Sequence, residues 1–335
     1  MTGMSATERL DRFQQRHHAA GFPLAVVYKF VDDQGGYLAA LLTYYGFLSL
    51  FPLLLLLVTV LGYLLNGNAH LQQQILSSAL TQFPIIGNQI QTNVHSLHAS
   101  GPALVVGILG SLYGGIGVAQ AGQNAMNVMW AIPRNRRPNP VKARLRSLIA
   151  VLLLGGGVVA TTALSGLFAG QGAFGRSLGW TGTVLALVLA LAGNTGLFLA
   201  GFRFLTADHI PFRHLVPGAI AAAAVWQALQ AVGTFYVGHS LRHASQVYGL
   251  FGLVLGLLGW LYVAALVVVL CAEVNVVRER HLWPRALLTP FTDDVDLTRA
   301  DERTYASAAE AQQTKGFERI DVSFDKKPAD GPKGS

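Results

Sequence analysis

Residues 37–130 read YLAALLTYYGFLSLFPLLLLLVTVLGYLLNGNAHLQQQILSSALTQFPIIGNQIQTNVHSLHASGPALVVGILGSLYGGIGVAQAGQNAMNVMW, without one Lys, Arg, Asp or Glu. A soluble fold cannot cover its surface with a charge-free stretch of that length, since about a quarter of an ordinary globular chain is charged. Over the whole chain of 335 residues, 12% are charged and 52% apolar. About half of the charge lies in the last sixty residues, Val276 to Ser335, which hold 10 basic and 11 acidic side chains. A long apolar body with charged ends is the pattern of an integral membrane protein.

Working outward, six apolar segments are long enough for a helix across a bilayer, which needs about 20 residues. They are Tyr37–Leu65, Ala103–Met129, Ser147–Ala169, Trp180–Gly201, Leu215–Gly238 and Tyr248–Val277. Helix is the required conformation: an isolated strand leaves its backbone unsatisfied in lipid, and the runs lack the alternation of a barrel. Pro52 marks a kink in the first. The fold expected is all-α, a polytopic membrane protein with six transmembrane helices.

Basic residues orient it. Fifteen Lys and Arg fall at the N-terminus, in the loops after the second and fourth spans and after the sixth, against only Arg176 and Arg242 on the other side. The positive-inside bias places both termini in the cytoplasm of a plasma (inner) membrane protein. The net charge of +7 therefore records topology, and no nucleic-acid partner is expected. The early charges Glu8, Arg9, Asp11 and Arg12 do not read as a cleavable signal peptide, and the single Cys271 excludes an intrachain disulfide.

Residues 1–36 form a cytoplasmic N-terminal segment in which Leu24, Val27, Tyr28 and Val31 are spaced for a short interfacial helix. Residues 37–277 form the six-helix domain. Its long outer loop, 66–102, carries apolar residues at helical spacing on either side of Pro84, which predicts two amphipathic helices over the outer face. Residues 278–335 form a cytoplasmic tail with too few large apolar groups to fold alone, expected to be largely disordered.

Gly107, Gly110, Gly114 and Gly117 in the second span, and Gly249, Gly252, Gly256 and Gly259 in the sixth, repeat at three-four-three spacing. Such stripes allow helix backbones to approach closely. Gln120, Gln123, Asn124 and Asn127 fall on one helical face and serve either as interhelical hydrogen-bond partners or as the lining of a polar cavity. Glu273 is the only acid inside any span, and intramembrane acids are functional candidates by default. Its ordinary structural fates would be an ion pair with Arg203 or Arg278, or a hydrogen bond to Asn127. The pairs His239/His243 and His95/His98 lack a third ligand type outside, so no metal site is expected. Phosphate-loop, zinc-protease and nucleophile-elbow motifs are absent, as is any acid between Asp33 and Asp208. Neither enzymatic activity nor a cofactor is expected.

The run from Leu38 to Pro52, LAALLTYYGFLSLFP, resembles the first-span signature of the YihY/BrkB membrane family, once labelled ribonuclease BN. Residues 123–130, QNAMNVMW, are similar to its Ala-Leu-Asn-x-x-Trp motif, with Met126 in place of Leu. Pro211, Pro217-Gly218-Ala219, Trp226, Tyr236, Tyr248-Gly249, Trp260-Leu261-Tyr262 and Ala272-Glu273-Val274-Asn275 follow in the expected order. The resemblance implies six helices with both termini inside and a shared core of Tyr45, Ser49, Pro52, Asn127, Tyr248, Glu273 and Asn275. It brings Asn275 into the candidate cavity or gating set with Gln120, Gln123, Asn124, Asn127 and Glu273. It implies envelope integrity, serum resistance in pathogens, and export of lipids or other amphipathic molecules. The ribonuclease label is regarded as a misassignment, in keeping with the missing carboxylate cluster. Membrane lipids are the expected partners, one of them as substrate; a non-transporting envelope scaffold or partner-binding protein is the alternative.

Overall fold

The computed structural model describes residues 6–64, 101–169, 179–236, 242–292 and 295–325. Among these, every regular element is helical. Two short helices, α1 (Ala6–Arg16) and α2 (His18–Asp32), precede six long ones: α3 (Gly35–Leu64), α4 (Gly101–Met129), α5 (Pro140–Ala169), α6 (Gly179–Leu205), α7 (Phe212–Tyr236) and α8 (Arg242–Arg280). A 3-10 turn at Arg134–Arg136 interrupts the α4–α5 connection, and α9 (Arg299–Glu310) follows α8.

The six long helices fall on the six apolar segments, whose backbone polar groups are satisfied within each helix. Leu187–Leu205, Phe212–Gly233 and Val254–Arg280 meet the length and apolarity needed to cross a membrane. At 39 residues, α8 is about 58 Å long at 1.5 Å per residue, so it outreaches a hydrocarbon core of about 30 Å. The outer loop with its two expected amphipathic helices lies outside the described residues, as do His95, His98 and His239.

From α3 to α8 each long helix packs on the next, and α8 returns to α3, closing a ring. α4 also touches α6 and α8. Buried side chains gather at the end where α4, α6 and α8 finish: Met126, Met129, Phe202, Leu215, Val269 and Val276 among them. Toward the other end, Leu109, Tyr113, Leu152, Leu187, Val232 and Phe251 point outward. An apolar exterior of this extent marks a surface that meets lipid or protein rather than water.

Three chain reversals at the basic end use residues other than glycine with positive φ: Gln34 (54°), Ala131 (45°) and His281 (52°). The left-handed conformation costs about 1–2 kcal/mol at a non-glycine residue. Backbone bonds offset it: Ile132 N–H reaches Asn127 C=O at 2.9 Å, and Leu282 N–H reaches Val277 C=O at 3.0 Å. These six-to-one closures satisfy carbonyls that a helix end leaves open.

α7 and α8 approach closely at Gly218. Its N–H donates to Asn275 Oδ1 at 2.7 Å, and a Cβ there would overlap the Cys271 carbonyl oxygen and the Asn275 amide. Gly218→Ala is expected to destabilise the protein by about 1–3 kcal/mol through overpacking, read as a lower melting temperature in detergent. Gly156→Ala, with nothing within 4 Å of the added methyl, should leave it unchanged or slightly raised.

The tail departs from the expectation of disorder. Thr298 and Asp301 form a reciprocal capping box that starts α9, and Ala300, Asp301 and Thr304 are buried. Asn135 N–H donates to Gln313 C=O at 3.1 Å, fastening the chain after α9 to the α4–α5 connection. The tail has too few large apolar groups to fold by itself and is held instead by polar contacts with distant segments. The N-terminal segment likewise packs on the bundle, with α2 against α8 and α1 against α2.

Candidate functional site

The polar face of α4 is divided. Gln123 and Asn127 are buried, whereas Gln120 and Asn124 are exposed. Gln123 Nε2 donates to Ser147 Oγ at 2.8 Å and to Ala143 C=O at 3.2 Å, joining α4 to α5. Asn127 Oδ1 accepts from Ala207 N–H at 3.0 Å, holding the chain as it leaves α6. Asn275 performs the same task between α8 and α7, and its Nδ2 is buried without a hydrogen-bond partner. The buried amides thus tie helices together, and Gln120 and Asn124 do not share that environment.

Glu273 is fully buried, at 0% exposure, and its carboxylate meets no amide, hydroxyl or cationic donor but faces the Asp33 carboxyl. None of its three expected partners serves it. Arg203 lies 2.7 Å from His209 Nδ1 and over the Phe212 ring, Arg278 borders a surface cleft, and Asn127 is committed to Ala207. The charges near Glu273 are Lys29, Asp33 and Asp32 at the α2–α3 junction. Lys29, 2% exposed, donates through Nζ to Asp33 Oδ2 and to Met129 C=O at 3.2 Å. Burial pushes the Asp33 carboxyl above its ordinary range, against the opposing pull of Lys29.

Asp32 faces the other way. Arg285, 1% exposed, donates through Nη1 to Asp32 Oδ2 at 2.8 Å and through Nε to Asp301 Oδ1. Adjacent aspartates at the end of α2 thereby connect the membrane-level cluster of Lys29, Asp33 and Glu273 to a second one that holds the tail. None of Lys29, Asp32, Asp33, Arg285 and Asp301 is among the site residues expected from the sequence: the first three lie near the end of the interfacial helix, and Arg285 entered only as one of the orienting basic residues. The available signal was the four-residue interval between Lys29 and Asp33, immediately before an apolar run.

The remaining candidates have packing surroundings. Ser49 Oγ donates to Gly46 C=O at 2.9 Å, and a Cβ on Gly114 would lie 2.6 Å from the Ser49 Cα. Tyr45 stacks edge-on with Tyr44, 5.2 Å between centroids, and its ring occupies the space beside Gly117. The lower part of the α4 glycine stripe therefore meets α3. In α8, Gly259 is exposed with nothing within 4 Å of an added Cβ, and Gly252 and Gly256 are half-buried, as is Gly110 in α4. The side chains of Pro52 and Tyr248, and positions Gly107 and Gly249, lie outside the described set.

Long apolar helices with an apolar exterior, and ionisable groups drawn into the bundle end, define an α-helical membrane protein. Sequence comparison places it further: the profile of the family described as "Virulence factor BrkB" matches residues 26–290. The chain belongs to that family. It is similar to a UPF0761 membrane protein of Alkalilimnicola ehrlichii, 28% identical over 79% of this chain and 60% of that protein. A relative from Bacillus subtilis, named as the ribonuclease-like protein YfkH, is 23% identical over 76% of this chain and 93% of its own. A UPF0761 membrane protein of Pseudomonas aeruginosa is 24% identical over 80% of this chain and 65% of its own. The chain thus spans less than two thirds of the length of the first and third of these relatives. No solved structure matches it.

Proposed function

We propose that the chain is a plasma-membrane transporter, or flippase-type protein, that moves a lipidic or amphipathic substrate and so supports envelope integrity. It is not an enzyme in this reading, and the word ribonuclease in a relative's name is not carried over. Six spans, both termini in the cytoplasm and α2 along the membrane interface complete the reading.

One observation carries it: a fully buried glutamate beside a buried Lys–Asp pair. With all three ionised, Lys29, Asp33 and Glu273 sum to one negative charge in a dry site, and the next cation, Arg280, acts on Asp33 while its guanidinium is committed to the Trp130 carbonyl. Such a charge is costly unless a proton or an arriving cation meets it. A purely structural core gains nothing from that arrangement, whereas a protein that changes conformation as charge arrives and leaves can use it.

The test is lipid composition of each leaflet with and without the protein, together with labelled-lipid translocation in reconstituted vesicles. Transport predicts protein-dependent redistribution in both. A scaffold predicts none, with cross-linking from the exposed tail, where Phe317 stands free of the surface, capturing a partner. Orientation is tested separately: a reporter active only outside the cytoplasm should be active near Gln82 and silent near Pro138. The reverse pattern overturns the topology.

A further inference from the structure

Two clefts at the basic end of the bundle share one side chain. The first, about 310 Å³, is lined by Arg213, His214, Arg278 and Glu279. The second, about 430 Å³, is lined by Phe22, Pro217, Val274, Trp283 and the same Arg278. One is charged and the other, its arginine apart, is apolar. They lie where α7 begins and α8 ends, with the Phe22 of α2 and the Trp283 beyond α8 meeting edge-on at 5.2 Å. From this juxtaposition we infer a binding site for one anionic phospholipid, its phosphate between Arg213 and Arg278 and its glycerol and first chain methylenes on Phe22, Pro217, Val274 and Trp283.

The charge arrangement favours this occupant. Among the described residues, no carboxylate pairs with Arg213 or Arg278; the acid lining the cleft, Glu279, is engaged by His214 Nδ1. His214 Nε2 accepts from Arg213 Nε at 2.7 Å. His214 thus bridges Arg213 and Glu279, and with two guanidiniums against one carboxylate the cleft keeps a net positive charge. The Nη groups of Arg213 and the whole guanidinium of Arg278 stay available to phosphate oxygens, which a planar fork suits better than an ammonium would. A soluble phosphate would use the charged cleft alone. The apolar wall continuing from Arg278 selects a ligand with a hydrocarbon portion at the level where cytoplasmic headgroups lie. The site does not depend on whether the protein moves lipid: binding and translocation are separate measurements.

The test is native mass spectrometry of the full chain released from mixed phosphatidylglycerol and phosphatidylcholine nanodiscs, with the double variant Arg213→Gln/Arg278→Gln alongside. Both arginines are at the surface, so folding should persist, checked by an unchanged melting temperature. Retention of phosphatidylglycerol over phosphatidylcholine is expected in the wild type. Its apparent affinity should fall roughly five-fold for each arginine removed, about 25-fold for both. Unchanged retention in the double variant overturns the site. Displacement by glycerol phosphate at concentrations equal to the lipid also overturns it, by showing that the apolar wall is not used.

Discussion

Replacing Arg285 by alanine is expected to destabilise the protein by about 3–5 kcal/mol, the usual penalty for removing one partner of a buried ion pair. The guanidinium is shared between Asp32, at the end of α2, and Asp301, at the start of α9. Its removal leaves a fully buried Asp301 carboxylate with the N–H groups of Ala286 and Thr298, at 3.0 and 2.9 Å, and the Thr298 hydroxyl at 2.8 Å, none of them a full countercharge. The rings of Tyr28 and Tyr305 would face the vacated space, since both now lie about the guanidinium at 6.0 and 5.7 Å. Burial lowers the basicity of Arg285, but Asp32 and Asp301 outweigh it and hold the guanidinium above its ordinary range. A folded-state value raised in this way gives stability that is lost only as pH rises through the raised value, far into alkali, so the wild type should keep its tail docked across physiological pH. The loss in the variant is measured as faster proteolysis between residues 287 and 325 and a lower melting temperature. Arg285→Lys, which keeps the charge but not the two-pronged geometry, should lie between the two. Equal proteolysis of all three proteins would show that the tail is held by something else.

The second large effect concerns transport rather than stability. Glu273→Gln preserves shape and removes the outstanding negative charge, leaving Lys29 and Asp33 as a neutral pair. Stability should stay within about 1 kcal/mol of wild type or rise, because a buried charge without a partner is lost. Lipid translocation should fall to the background of empty vesicles. A variant that inserts normally and still moves lipid at the wild-type rate would falsify the role given to Glu273. Stability therefore falls for Arg285→Ala and holds or rises for Glu273→Gln, and this separates the cluster that holds the tail from the one assigned to transport.

Much of the architecture was legible in the residues. Continuous apolar runs such as Leu53–Val58 and Ala264–Leu270 leave the backbone no solution in lipid but a helix, and long helices occupy those segments. The glycines of α4 were legible as points of close approach, but not their partner: Gly114 and Gly117 meet Ser49 and Tyr45 of α3. A helical period tells which residues share a face and not which neighbour that face meets. The polar face of α4 illustrates the same limit. Gln123 and Asn127 lie at one edge of it and turn inward, whereas Gln120 and Asn124 lie at the other and stay exposed, because the edge of a packing interface can fall inside a stripe of one chemistry.

What the sequence determined by itself is what depends on composition over a short window: helix rather than strand, and a basic end distinct from an uncharged one. Both follow from solvation, which each segment experiences separately. The tertiary structure decided which charge meets which. Glu273 finds Lys29 and Asp33 rather than Arg203 or Arg278, and Arg285 gathers Asp32 and Asp301 from opposite ends of the chain. Those pairings come from the closure of α8 onto α3 and the return of the tail to α2. A charge buried by such long-range packing gains or loses several kcal/mol according to its neighbours, and those neighbours are set by how the helices close, not by the residues beside it in the chain.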